Sequence, residues 1–338
     1  MNVSERAPTD APPARAPRSP RTDLLSVLRP ILGPLIALAA LLLFNALFTP
    51  NFLTVQTLNV NLTQVATIVI VGVGMTLVIA TGGIDLSVGA LMAISGALAP
   101  LLFLHPPLGN AALGVALAFT VPVLTAGAFG LFNGALITRF GIQPFIATLV
   151  LFIAGRGIAQ VLTNGQLQTF TNPAFQYVGL GRPLGVPFQV ILMLLIVALF
   201  AWVLARTVFG RHVLAVGGNE RAARLAGVPV ARVKLAVYGL LGLLSGLAGL
   251  IVIAINSSSD ANQVGLNMEL DAIAAVAVGG TALTGGRATI IGTLLGALVI
   301  QLIRYTLLAR GIPDAAALVV KAVIILFAVY IQRARRAA

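Results

Sequence analysis

Ten stretches of this chain are each long and apolar enough to cross a hydrocarbon core, which takes about 17 to 25 residues of helix. They run over residues 31–49, 60–80, 86–104, 112–138 and 144–163 in the first half, and 189–205, 233–255, 268–284, 288–309 and 316–332 in the second. A soluble fold of 338 residues has no way to hide so much apolar surface, because its exterior needs polar side chains. Here 59% of residues are hydrophobic and only 9% are charged, against roughly 25% charged in an average soluble domain. The expected fold class is all-α: a polytopic membrane protein of about ten transmembrane helices, some interrupted by glycine.

The formal charge of +12 would suggest nucleic acid if the basic residues formed one patch. Instead they cluster between spans. Arg6, Arg15, Arg18, Arg21 and Arg29 precede the first span, six basic residues lie from Arg206 to Lys234, and Arg333, Arg335 and Arg336 close the chain. With the amino-terminal segment inside, ten crossings return the carboxyl terminus inside and place 206–234 inside as well, as the positive-inside rule requires. Arg182 and Arg310 fall outside. The charge therefore reports topology and the lipid bilayer, and no nucleic-acid partner. Residues 1–30, with prolines at 8, 12, 13, 17, 20 and 30, read as a disordered cytoplasmic tail that is not a cleaved leader. The membrane domain then covers 31–332, with 206–234 as its cytoplasmic loop and 333–338 as a second cytoplasmic tail. The chain has no cysteine, so neither a disulfide nor a thiolate metal site is expected.

Two spans are broken at matching places, in IATGGIDLSVG (79–89) and VAVGGTALTGG (276–286). At an offset of 197, Gly82, Gly83, Leu86 and Gly89 meet Gly279, Gly280, Leu283 and Gly286, and Ser87 meets Thr284. Both copies follow an even-numbered span and so enter the membrane in the same sense, as a parallel duplication would. Small residues also recur in any tightly packed membrane helix. Yet glycine-interrupted segments in corresponding positions of two halves are the best sequence pointer to a transport pathway. Unwound backbone is tolerated there because protein or water surrounds it.

Asp85 is the only acidic residue between Asp23 and Glu220, and it stands where the second span breaks. A carboxylate at membrane depth is costly and usually functional. A plainer role stays open beside this one: capping the third span by accepting N–H groups of Ser87 or Val88. Asn133, Arg156 and Gln160 lie inside spans four and five, where polar groups normally face the bundle interior. They would suit a neutral polyol, or equally bond one helix to another. Glu269 and Asp271 precede span eight and are expected on the outer side, as caps or as contacts for an external partner. His105 and His212 sit on opposite sides of the membrane, so no hydrolase arrangement and no metal site are expected, and no catalytic residue is assigned.

The inner loop 206–234 carries its own helix signals: Asn219 as a cap, Glu220 in the first turn, Gly227 as a terminator and Pro229 after it. About eight residues are too few to be stable alone. The expectation is docking against a partner through Ala222, Ala223, Leu225 and Ala226; the alternative is a solvated loop on anionic lipid. Lys234 and Lys321 each follow valine, so the chain has no P-loop, and no segment outside the spans could fold as a nucleotide-binding domain. If ATP drives this protein, a partner hydrolyses it.

GMTLVIATGGIDLSVGA (74–90) resembles the permease subunits of bacterial ABC importers for monosaccharides, the ribose-type family. NGALI (133–137), PFIATL (144–149) with Arg156-Gly157, GNERAARLAG (218–227) and ELDAIAAVAVGGTALTGGR (269–287) resemble it in the same order, so that the likeness covers about residues 30–332. DANQVGLNMELDA (260–272) is most similar to the galactofuranose-type members. The resemblance implies a multi-pass protein of the bacterial inner membrane, working as a homodimer or as a heterodimer with a related permease. It also implies ATPase subunits inside, which use ATP and Mg, and a periplasmic sugar-binding protein outside. No cofactor is implied in this chain. Candidate pathway residues are Asn61, Gly82, Gly83, Asp85, Ser87, Asn133, Phe145, Arg156, Gln160, Gly279 and Gly280. Candidate ATPase-coupling residues are Asn219, Glu220, Arg221, Ala222, Ala223, Arg224 and Gly227, with Arg221 standing where the family motif E-A-A-x-x-x-G has its glutamate. Asp260, Glu269 and Asp271 are the candidates for docking the binding protein. Two rival readings are an ion-coupled secondary sugar transporter using Asp85, and a membrane scaffold without transport.

Overall fold

A computed structural model describes residues 24–313 and scattered positions between 315 and 326. Residues 1–23 and 333–338 of the expected tails, and most of the tenth expected span (316–332), lie outside the described residues. Helix α1 (Leu24–Phe48) starts inside the expected tail, so residues 24–30 are helical. It is followed by α2 (Val55–Ala80), α3 (Val88–Leu104), α4 (Ala111–Arg139), α5 (Pro144–Leu162), α6 (Pro173–Leu180) and α7 (Phe188–Arg206). Then come α8 (Val208–Gly218), α9 (Glu220–Leu225), α10 (Val230–Asn256), α11 (Met268–Val278) and α12 (Ile290–Ala309). Among the described residues, seven helices are long and apolar enough to cross a membrane. α3, with 17 residues, is slightly shorter, and α11, with 11, is too short to cross by itself. The expected span 268–284 is thus a half-helix.

Local sequence sets the starts of these helices. The side-chain oxygens of Thr54, Asn110, Asn172, Thr207, Asn219 and Thr289 each accept an N–H from the first turn of α2, α4, α6, α8, α9 and α12, at 3.0–3.2 Å. α2 and α10 form the centre. α10 packs on α4, α2, α3 and α6, and α2 packs on α10, α12, α7 and α11. Both helices are apolar on nearly every face, which suits helices surrounded by others. Where α4 crosses α10 the backbones approach so closely that a β-carbon on Gly130 would overlap the Tyr238 carbonyl oxygen. α1 lies at the edge on α12, held by a 2.7 Å bond from Asn45 Nδ2 to Thr306 Oγ1, with Leu35, Ile36, Leu43 and Leu47 exposed outward.

At the end of the bundle away from the breaks, Gln168–Thr169 (β1) pairs antiparallel with Ser258–Ser259 (β2). Phe170 and Phe175 then pack against Phe103 and Phe119 with ring centroids 4.9–5.0 Å apart. From β2 the chain turns down beside α3 as irregular backbone. A β-carbon on Gly96 would lie 3.4 Å from Ser259 Oγ and 3.3 Å from Val264, and one on Gly89 would overlap the Gly265 carbonyl oxygen. Seven residues of helix separate Gly96 from Gly89, so this segment penetrates about 10 Å along α3. The hydropathy pattern did not register it.

Candidate functional site

The two breaks have the same backbone design. After α2, Gly82 N–H donates to Ile79 O at 2.9 Å and Gly83 N–H to Val78 O at 3.2 Å; after α11, Gly280 N–H donates to Ala277 O at 3.1 Å and Thr281 N–H to Val276 O at 3.3 Å. Both are Schellman caps, which put one residue in the left-handed region, where glycine is favoured. Those residues are Gly82 (φ +81°) and Gly280 (φ +86°). The structural offset is therefore 198, one residue from the 197 expected: Thr81 corresponds to Gly279, and Gly83 to Thr281. The breaks also touch. Gly286 N–H donates to Ala80 O, the last carbonyl of α2, at 3.0 Å.

Asp85 is fully buried in the first break. Its Oδ1 accepts from Ser87 N at 2.8 Å and from Ser87 Oγ at 2.6 Å, and Ser87 Oγ in turn accepts from Asn133 Nδ2 at 3.0 Å. The N–H bond spans two residues, so Asp85 closes an Asx turn leading into α3; Ser87, not Asp85, occupies the N-cap position. Tyr238 seals the other side, donating to Ile84 O at 3.2 Å. A β-carbon on Gly83 would lie 2.5 Å from the Tyr238 hydroxyl, so this glycine makes room for the ring. Sequence reasoning did not single out Tyr238.

Arg156 and Gln160 form a second group on α5, facing the descending segment. Arg156 Nη1 donates to Ala261 O at 2.7 Å and to Val264 O at 2.6 Å; Gln160 Nε2 donates to Asn262 Oδ1 at 2.7 Å. Asp260 Oδ1 receives Asn262 N–H at 2.8 Å and shapes the same turn. The expected outward position of Glu269 and Asp271 is corrected here: they are 5% and 8% exposed. Glu269 Oε2 lies close to Gly89, where a β-carbon would be 2.7 Å away. The segment 257–267 carries the chain inward before α11 begins, which takes both carboxyls with it. Of this expected docking trio only Asp260 is partly exposed.

Asn61, Phe145 and Gly279 are the remaining pathway candidates. Asn61 Oδ1 accepts from Gln301 Nε2 at 3.3 Å, and Gln301 also donates to Gln64 Oε1 at 2.6 Å, forming a polar cluster toward the opposite end of α2. Gln64 and Gln301 were missed because single amides inside apolar stretches leave no spacing to read. Phe145 is 52% exposed on the first turn of α5. Gly279 is packed against α12, where a β-carbon would lie 2.5 Å from the Gly292 carbonyl carbon.

In the loop, the helix expected at 219–227 forms as α9. Asn219 caps Ala222 N–H at 3.0 Å, Gly227 (φ +80°) ends it, and Val228 N–H closes back on Ala223 O at 3.0 Å. A second helix, α8, precedes it and was not expected. Glu220 is bonded to Lys234 at 2.6 Å and to Arg224 at 3.1 Å. Lys234 first, and Arg224 after it, hold the Glu220 carboxyl below the usual carboxylate range. The expected apolar face is divided: Ala223 is buried against its own chain, whereas Leu225 is 85% exposed together with Ala222 and Ala226. Arg221 is exposed and makes no ion pair among the described residues.

The polytopic bundle thus carries two capped breaks and a short helix presented at the end where those breaks meet. The family described as "Branched-chain amino acid transport system / permease component" matches residues 58–329. This chain belongs to that permease family. Among relatives of the permease, the ribose import permease protein RbsC of Escherichia coli (strain K12) is 44% identical over 307 residues, covering 89% of this chain and 93% of that protein. The galactofuranose transporter permease protein YtfT of Escherichia coli (strain K12) is 42% identical over 316 residues, covering 89% of each chain. The L-arabinose ABC transporter permease protein AraH of Azospirillum brasilense is 36% identical over 291 residues, covering 86% and 84%. No solved structure matches the permease.

Proposed function

We propose that this permease is the membrane subunit of an ABC importer carrying a neutral monosaccharide, a pentose or hexose of the ribose or galactofuranose kind, inward across the bacterial inner membrane. The sugar reading draws on relatives named for ribose, galactofuranose and arabinose, similar over nearly their whole lengths. The ATP reading draws on one observation above all: α9 is a preformed, capped helix that leaves Leu225 and Arg221 unoccupied at the end of the bundle where both breaks converge. An apolar side chain flanked by arginines suits a groove in an ATPase subunit, where ATP and Mg are used. With Glu220 engaged inside the chain, Arg221 is the side chain left for the polar contact. A sugar-binding protein delivers substrate from the outer side, and a second permease subunit, identical or related, completes the channel. The two bonds from Ser87 to Asp85 Oδ1 give this carboxyl a turn-shaping role that needs no coupled ion.

Proteoliposomes holding the permease with an ATPase subunit and a loaded sugar-binding protein are expected to accumulate sugar only when ATP is present on the α9 side. Uptake by the permease alone on an ion gradient would overturn the proposal. Orientation has its own test, since the chain lacks cysteine. The single cysteine of Arg221→Cys is expected to react with a membrane-impermeant thiol reagent in inverted vesicles and to stay unlabelled in intact spheroplasts.

A further inference from the structure

At Gly217, α8 meets the two breaks backbone to backbone. A β-carbon on Gly217 would overlap the carbonyl oxygen of Ala80, the last residue of α2, and would lie 2.5 Å from the amide nitrogen of Gly286, beyond α11. Those two groups are bonded to one another, Gly286 N–H to Ala80 O at 3.0 Å, so three segments share one point. Neighbouring glycines continue the contact. A β-carbon on Gly285 would lie 2.9 Å from Gly217 O and 2.9 Å from Gly82 N, and one on Gly286 would lie 2.9 Å from Gly218 Cα. Gly218 itself has nothing within 4 Å on the side where a β-carbon would point. On its far side α8 runs directly into α9 through Asn219, whose side chain caps α9, while Glu220 ties α9 to Lys234 of α10.

We propose that Gly217 is a positioning residue of the transport cycle, through which a displacement of α8 and α9 is delivered backbone to backbone to both glycine breaks at once. The inference rests on the reading that an ATPase subunit docks on α9. Its physical basis is the close backbone contact that Gly217, Gly285 and Gly286 make at this point. Contact through long side chains can absorb a shift by changing rotamer, whereas close-packed backbones pass it on. Such interfaces tend to switch between discrete packings and do not deform smoothly. Because the Ala80 carbonyl and the Gly286 amide belong to opposite breaks, moving Gly217 moves the ends of α2 and of the segment after α11 together.

The test measures ATP hydrolysis and sugar uptake in the same proteoliposomes, reconstituted with the ATPase subunit and sugar-binding protein. Gly217→Ala is expected to co-purify with the ATPase and to hydrolyse ATP within about twofold of wild type, while sugar moved per ATP falls about tenfold, within the span of typical coupling energies. Gly218→Ala should keep the wild-type ratio. Gly286→Ala, which intrudes on the same contact from the other side and also strains a backbone at φ +77°, should uncouple in the same direction and carries the test if Gly217→Ala does not fold. A wild-type ratio in Gly217→Ala, equal uncoupling by Gly218→Ala, or loss of ATPase assembly in both Gly217→Ala and Gly286→Ala would overturn the inference. A wild-type protein that couples no ATP to uptake would instead overturn the proposed function, and the inference with it.

Discussion

Replacing Arg156 with alanine is expected to abolish uptake while leaving the bundle inserted. Arg156 Nη1 supplies both of the hydrogen bonds that hold Ala261 O and Val264 O in the descending segment, at 2.7 and 2.6 Å. Bonds from a charged donor contribute about 1.5–3 kcal/mol each, and a carbonyl left without a donor costs about 1–3 kcal/mol. A loss of only about 2 kcal/mol raises the population of a detached segment roughly thirtyfold. Once detached, 257–267 no longer seats Gly265 on Gly89, and Glu269 loses its place beside α3. The check uses Ala261→Cys, a buried position in a chain otherwise free of cysteine. Its thiol labelling should speed up roughly thirtyfold when Arg156→Ala is added, in parallel with the loss of uptake. Unchanged labelling would mean that other contacts hold the segment.

At Asp85 the asparagine and alanine variants are expected to part. Oδ1 accepts both Ser87 bonds, and asparagine keeps an acceptor at that position, so Asp85→Asn should retain uptake within about threefold. Asp85→Ala strands the Ser87 N–H and hydroxyl in a fully buried site, and with them the Asn133 contact. The cost is about 2–4 kcal/mol, and uptake should fall tenfold or more. The measurement is initial uptake rate at matched membrane content. An inactive Asp85→Asn with an active Asp85→Glu would point to a carboxylate that titrates, and so to ion coupling.

Long helices were legible because a lipid-facing helix must be apolar over a fixed length, and α1, α2, α4, α5, α7, α10 and α12 lie where the hydropathy put them. The Asn219 cap and the Gly227 stop were legible because capping is local chemistry. Hydropathy averages over residues without knowing the path of the backbone, so an apolar stretch at 268–284 looked like one helix although α11 ends at Val278. The same blindness put Glu269 and Asp271 at the outer mouth. Their true seat depends on Gly89 leaving room beside α3, a contact between residues 180 positions apart in Glu269's case. The pairing of the breaks slipped by one residue because two adjacent glycines do not declare which of them takes positive φ. Gly217 carried no signal, since its partners are backbone atoms of segments distant in sequence.

The irregular stretch between β2 and α11 also constrains the order in which the chain can be assembled. Its carbonyl groups at 261 and 264 could not enter lipid without donors, and the donor sits on α5, synthesised about a hundred residues earlier. Helices α3 and α5 must therefore stand side by side as a slot before residues 257–267 can settle at membrane depth. The amino-terminal half thus holds the donor that the carboxyl-terminal half needs, and Arg156 lacks its two carbonyl partners until residues 257–267 are in place.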